Sequence, residues 1–597
     1  MSRACLWLLL AVSVLHSPAV ADDAGDAELA VKAYEILKTR CYRCHGGSAR
    51  QAGVDVLSRD ILLEERGEIG AKFAFIVPGD VAKSQLLETL EGGADSYMPK
   101  EGSPEAKGMT DEEKELLRKW VSAGAVFPKL REFDFISETQ ILNAMRDYLL
   151  TSKADNRQNI RFFTLTHLHN NPTVSELDLR LYRAALAKAI NSLTKERDIV
   201  MPAALKGTGD SVYAIDLSDL GWHRGQLWQE ILGHYPYALK YDFVKDEELK
   251  QVWKDVAQFS GADVPYLRAD WFIVTATRPP LYHQLLDVPD TLMGLEHQLQ
   301  FDIKQNFLRG DVARSGYAKS GVSKQNRLLE RHTTTVTPYL WISYDFLPKR
   351  AKGDLARFPL GPKFPGNPYN NQAFEHDGGE VIWSLPNGMQ GYMLVKDNGD
   401  RIDQGPIEVV FDRSAVLGTP AIINGISCMY CHRDGMITDF RDELRNADAL
   451  GGIAREHLLD IYPPHEQMQK LTRQDQEIFM RSLQRITGPF LQVGEDREKP
   501  ISSFPEPIGK VAEMYSRDLT RQELALELGF ENIELLQAKI EANRELLRFG
   551  LGTMVQAPPG TLKREKWETQ DGTSLMQDVA SQLRLGLPYI PPTPRGQ

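Results

Sequence analysis

The chain has 597 residues, 42% of them hydrophobic, and a formal net charge of −12 at pH 7. That length and apolar content support several packed domains and exclude a disordered or fibrous chain. The acidic balance argues against nucleic acid or an anionic membrane surface as partner and is compatible with a basic partner protein.

In chain order, residues 1–21 read as a secretory signal. Arg3 supplies the positive start, Leu6 to Val14 is apolar apart from Ser13, and Ala19-Val20-Ala21 is an A-x-A cleavage site. The apolar run is too short to span a bilayer, and no later stretch has 18 consecutive apolar residues. The expectation is a periplasmic or otherwise exported protein with no membrane span after cleavage.

Residues 26–130 form the first expected domain. Leu29, Val31, Ala33, Tyr34, Ile36 and Leu37 supply the apolar positions of a helix over Ala27 to Arg40. It leads directly into Cys41-Tyr42-Arg43-Cys44-His45, and the same C-x-x-C-H form recurs as Cys428-Met429-Tyr430-Cys431-His432. The spacing has a chemical reason. Thiols three positions apart lie about one helical turn apart, so both can reach the vinyl groups of one porphyrin while the next imidazole binds the iron. The chain has five cysteines; Cys5 falls in the expected signal, and the other four all belong to these motifs. A zinc site could use C-x-x-C pairs, but these pairs are far apart and each adjoins a His. A redox dithiol has no need of that His, and a disulfide framework suits a small domain. The reading is two covalently attached haem c groups. Cys41, Cys44, Cys428 and Cys431 hold them, with His45 and His432 on the irons.

Toward the end of this domain, Thr110-Asp111-Glu112-Glu113 is a capping box. It opens a helix with an apolar stripe of Leu116, Leu117, Trp120 and Val121, stopped by Gly124. Two helices around one haem suggest a class I cytochrome c. The runs Cys41 to Gly47, Gly53 to Arg59, Ile76-Val-Pro-Gly-Asp, Ser84-Gln-Leu-Leu, Tyr97-Met98-Pro99 and Thr110 to Gly124 resemble the planctomycete-type cytochrome c domain. In that family the Met before Pro is the sixth iron ligand, which carries over to Met98. A thioether opposite His45 would raise the reduction potential. The alternative is that Met98 fills the core. A six-coordinate haem implies electron transfer rather than binding of oxygen or peroxide.

Residues 131–420 carry no recognised motif. Helices are predicted over Arg131 to Asn159, Glu176 to Leu193 and Leu281 to Phe307, and a strand at Tyr213 to Leu217. His167 and His169 would share one side of a strand, which could suit a metal, but would diverge on a helix. Arg314 to Arg327 is basic and rich in Gly and Ser, either a solvated loop or a source of arginines for haem propionates. From Gly378 onward, turn signals at Pro386-Asn387-Gly388 and Asn398-Gly399 predict a small antiparallel sheet. The stretch from Phe374 to His432 resembles the non-cytochrome portion of large secreted bacterial cytochrome proteins, which implies location and little chemistry.

Residues 421–597 form a helical region with the second haem. Helices are predicted over Asp475 to Ile486, Glu506 to Tyr515 and Asn532 to Phe549, with a capping box at Thr520 to Glu523. The far side of this iron is open. Met436 is set aside because a helix would keep it on the face of His432. His332, His376, His457, His465 and Met468 remain candidates.

The expected architecture is mainly α with a small antiparallel β portion. It consists of a class I-like cytochrome c domain and a large α+β haem-bearing region. No catalytic constellation stands out, and oligomeric state is not legible. The expectation is electron transfer through two haems. The alternatives are a peroxidase- or oxygenase-like dihaem oxidoreductase reacting at the second haem, and a redox-linked partner-binding protein.

Overall fold

The computed structural model describes residues 23–42, 45, 54–67, 72–91, 97–99, 109–128, 131–318, 320, 325–348, 353–411, 419–438, 440–446, 450–556 and 560–591. The signal reading of residues 1–21 and the position of Cys44 lie outside these residues. Helix makes up 45% and strand about 13%, so the chain is mainly α with antiparallel β. It divides into two compact units, residues 1–129 and 130–597.

The first unit is built on α1 (Asp23–Arg40) and α2 (Asp111–Ser122). The start of α2 follows from its sequence. The Thr110 hydroxyl accepts from the Glu113 N–H, and the Glu113 carboxylate accepts from the Thr110 N–H. Ala30, Ala33 and Leu37 of α1 share a buried cluster with Leu117, Trp120 and Val121 of α2. Arg40 donates to Glu113 at 2.9 Å and ties the end of α1 to the start of α2. Val31, counted in the apolar stripe, is 52% exposed.

The second unit contains a four-stranded sheet, a six-stranded sheet and a helical core. Its elements begin with β1 (Ile160–Thr164), α3 (Glu176–Ser192), β2 (Ala203–Ala204), β3 (Val212–Asp216), β4 (Tyr266–Arg268) and α4 (Ala269–Ala276). The smaller sheet has the order β2-β3-β1-β4, with β1 antiparallel to β3 and parallel to β4. Every residue of α3 from Ala184 to Ser192 is buried. A helix buried on all sides must be enclosed by other elements. Those elements are α4, α6 (His465–Leu491) and α7 (Pro507–Tyr515). The regions read as 131–420 and 421–597 thus meet in one core.

The larger sheet is β5 (Val312–Tyr317), β6 (Arg327–His332), β7 (Leu340–Asp345), β8 (Gly378–Ser384), β9 (Gln390–Lys396) and β10 (Arg401–Ile402). The strands lie in sequence order, all antiparallel. The turn signals foretold β8 to β10. The stretch from Arg314 to Arg327, basic and rich in Gly and Ser, was read as a solvated loop or a source of arginines for propionates, and the three strands before Gly378 were not foretold. Instead Arg314 is wholly buried on β5, bonded to Glu330 of β6 at 2.6 Å, and Arg327 pairs with Asp345 of β7 at 2.7 Å. The helix expected over Leu281 to Phe307 is three helices. Asp287, Gln300 and Gly310 each take a left-handed backbone and end one of them.

The second C-x-x-C-H lies on α5 (Ile426–Cys431). Gly425 precedes it at φ +83°, and a Cβ there would come within 2.5 Å of the Thr277 carbonyl oxygen. Only glycine lets α5 sit this close to the end of α4. Tyr430 packs against Gly509 of α7. In turn α7 is fastened to α3 by Lys188 and Glu506, bonded at 2.8 Å with both side chains 1% exposed.

Lys188→Ala leaves the Glu506 carboxylate buried without its ammonium partner. It is expected to destabilise the second unit by about 3 to 5 kcal/mol, read as a lowered urea midpoint. Adding Glu506→Gln is expected to restore part of the loss.

Candidate haem centres

The first motif continues the last turn of α1. The N–H groups of Cys41 and Tyr42 both donate to the Leu37 carbonyl at 3.0 Å. His45 donates from its backbone to the Cys41 carbonyl at 2.9 Å, and its own carbonyl accepts from Val56 at 2.8 Å. This backbone pair holds His45, which is partly exposed, beside the end of the helix. Met98 is half-buried, and its N–H donates to the Thr89 carbonyl at 2.8 Å. Both groups required by the first haem reading are therefore held by hydrogen-bonded backbone within one unit.

The second motif opens onto a cavity of about 940 Å³. Cys428, Cys431 and His432 all line it, facing the sheet residues Ile342, Glu380, Ile382 and Leu394 and the segment 404–410. A cavity of this size with mostly apolar walls and a few polar groups is the usual form of a cofactor site. Cys428 is buried and Cys431 exposed, so one thiol reaches inward and the other lies at the mouth. The Arg327 guanidinium lies on the wall, as the propionate reading of that region requires, whereas Arg314 does not line the cavity.

His432 has the orientation an iron ligand needs. Its Nδ1 is 3.2 Å from the Gly435 carbonyl oxygen. A carbonyl only accepts, so Nδ1 carries the proton and Nε2 is left to face the cavity. A hydrogen bond of this kind fixes the tautomer and ring plane of a metal-binding His. The residues present thus fit a haem tethered at Cys428 and Cys431 and ligated by His432.

One further group stands beside this nitrogen. Glu380 Oε2 is 3.6 Å from His432 Nε2, and its side chain is 17% exposed. Burial alone would raise the Glu380 carboxyl. His432, the Cys428 thiol and the Arg327 charge outweigh burial and bring it down to about 2. Burial and the Glu380 carboxylate in turn push the Cys428 thiol up, which keeps its proton on. Glu380 was not picked out from the sequence. The available signal was an acidic residue opening the otherwise apolar run Val381-Ile382-Trp383.

The residues considered for the far side of the second iron fare unevenly. His332, His376, His457, His465 and Met468 are all absent from the cavity wall. His332 is fully buried, with Nε2 3.0 Å from Glu330. His457 stacks on Tyr369 at 4.8 Å. His376 packs edge-on to Tyr344. The exclusion of Met436 rested on a helix running past His432, but α5 stops at Cys431. Gly435, at φ +86°, then turns the chain, and Met436 lines the same cavity.

His167 and His169 fall on a helical turn and diverge. His167 Nε2 is 2.9 Å from Asp270, and His169 Nε2 is 3.3 Å from the Asp134 carbonyl. Among the described residues no group of three His, Cys, Asp or Glu could hold a metal.

Residues 41–102 match the family model described as Planctomycete cytochrome C. The chain therefore carries a planctomycete-type cytochrome c domain that includes the first haem motif and Met98. Such a domain implies covalently bound haem c and a haem-binding, electron-transfer role. No curated protein and no solved structure matches. No described helix is long and apolar enough to cross a membrane.

The approach to α5 is anchored by a buried histidine. Asn424 Nδ2 lies 2.8 Å from His283 Nε2 and donates to it, and Asn424 is itself fully buried. Burial, helped by the Arg401 charge, pushes His283 down to about 4, against the pull of Asp403 and Asp290. His283 is therefore neutral when folded, whereas the unfolded chain takes up a proton below about pH 6.5. Its contribution is complete above that pH and is lost as pH falls toward 4. We expect stability to decline over this window by about 2 kcal/mol from this group. His283→Gln should flatten that part of a pH series of thermal unfolding.

Proposed function

We propose that this chain is an exported dihaem c-type cytochrome that exchanges electrons with a redox partner protein. The observation that carries the reading is the geometry of the second motif. Two cysteines and a histidine open onto one cavity of about 940 Å³, and the histidine is oriented by its Nδ1–H bond to Gly435. In the first unit Cys41, Cys44 and His45 would hold the other haem, with Met98 as its sixth ligand in a class I-like arrangement. When bound, each haem supplies a one-electron iron couple.

The protein's own residues then set the conditions of transfer. Leu37, Leu117 and Trp120 are buried beside the first motif, and an apolar shell with a thioether ligand favours the reduced iron. The net charge of −12 suits a basic partner. The run ending in Ala19-Val20-Ala21 supports export.

A second reading, an oxidoreductase that reacts at the second haem, is favoured by one observation. The histidines considered for the far side of that iron do not line the cavity. The two readings part on whether cyanide or peroxide changes the spectrum of the second haem.

The pyridine haemochrome of the purified protein is expected to give two haems per chain. Cys428→Ala with Cys431→Ala should reduce this to one. A single haem in the unaltered protein overturns the dihaem reading. Met98→Ala is expected to lower the potential of the first haem by on the order of 0.1 V, within the roughly 0.8 V that axial ligands span, and to admit cyanide. An unchanged potential would assign Met98 to the core.

A further inference from the structure

We propose that Glu380 faces the second iron from the side opposite His432 and is its sixth ligand, giving this haem a histidine–carboxylate axial pair. The proposal rests on the dihaem reading above and adds to it the chemical character of the second centre.

The distances are close to those required. Metal–nitrogen and metal–oxygen bonds of about 2 Å each place two trans ligands about 4 Å apart. Both residues line the cavity, and Glu380 Oε2 is 3.6 Å from His432 Nε2. A small opening of the pocket brings them to the separation of an axial pair.

The partners of the carboxylate point the same way. Glu380 lies beside the His432 imidazole, its Oε2 3.6 Å from Nε2, and interacts with the Cys428 thiol. Both are groups that haem attachment uses. The Cys428 S–H adds across a vinyl double bond to form a thioether, and the thiol ceases to be a donor. His432 Nε2 turns its lone pair to iron. Glu380 would then remain as a charge in the cavity, 17% exposed. A buried carboxylate needs a cation. The nearby Arg327 is already bonded to Asp345 at 2.7 Å. The iron is the cation left within reach.

The side chain is also firmly placed. Glu380 is on β8, paired with Leu394 of β9, and its N–H donates to the Ser343 hydroxyl at 2.9 Å. A ligand on the interior strand of a sheet is better fixed than one on a loop. Met436 is the rival on the cavity wall. It sits on the turn that follows His432.

The two haems would then differ in kind. A hard anionic oxygen favours ferric iron and binds more weakly than a thioether. The second haem is accordingly high-spin when oxidised and lower in potential than the first.

The test uses the full holoprotein, with haem content verified at two per chain, as unaltered protein and as Glu380→Gln, Glu380→His and Met436→Leu. EPR, near-infrared magnetic circular dichroism and redox titration resolve the two irons. The unaltered protein is expected to show one high-spin ferric haem. Glu380→Gln should change that signal and raise its midpoint potential, leaving the other haem as it was. Glu380→His should convert it to a low-spin bis-histidine spectrum, a change that a purely structural role cannot produce. Met436→Leu should leave both haems unchanged. The proposal is overturned if the unaltered second haem is low-spin with nitrogen or sulfur as sixth ligand, if Glu380→Gln leaves it unaltered, or if Met436→Leu shifts it instead. If the Glu380 variants do not mature with two haems, the sixth ligand of the unaltered protein decides the matter. A count of one haem in the unaltered protein would instead remove the dihaem reading itself.

Discussion

A haem held at Cys428, Cys431 and His432, as proposed, would need open volume beside one turn of helix. Much of the second unit would serve that constraint. A short helix must be brought to the edge of a cavity and held there while its polar groups stay satisfied. Gly425 allows the close approach to α4, Asn424 and His283 anchor the entry, and Gly509 accommodates the Tyr430 ring. The cavity wall opposite is formed by residues of the six-stranded sheet.

The same need explains the buried charges. Arg314–Glu330, Arg327–Asp345 and Lys188–Glu506 are each paired between elements that surround or support the cavity. Such pairs contribute little net stability, but removing one partner strands the other. They resist independent movement of the strands and helices they join. The Glu380 carboxylate is the exception. Its partners are the reactive groups of the motif itself, so its environment changes when the cofactor is attached.

The first unit solves the problem with fewer parts. A helix ends at Arg40, just before Cys41, a capped helix packs against it, and Met98 is held from its N–H by the Thr89 carbonyl. Here helix, cap and packing stripe are all local patterns. The second unit is built from long-range pairings: Arg314 and Arg327, the ends of a stretch read as a solvated loop, lie on β5 and β6, and α3 is covered by α6 and α7 from far along the chain. The arginines of β5 and β6 looked solvent-facing because their partners, Glu330 and Asp345, stand on neighbouring strands. Likewise the long helix expected from Leu281 to Phe307 is interrupted at Asp287 and Gln300, which adopt left-handed conformations that residue type alone does not reveal.

By itself the sequence determined the haem motifs, the capping box of α2, the hairpins from Gly378 onward and the resemblance of the first domain. These depend on residue type at fixed short spacing, where bond geometry and local hydrogen bonding leave little freedom. Only the tertiary structure decided which side chains share the second cavity. It left five candidates off the cavity wall, set Met436 on it and brought Glu380 to 3.6 Å from His432. Glu380 and His432 are far apart in the chain, and their meeting depends on the register of β8 in its sheet and on the seat of α5. That register is a property of long-range packing, which no local pattern of residues records.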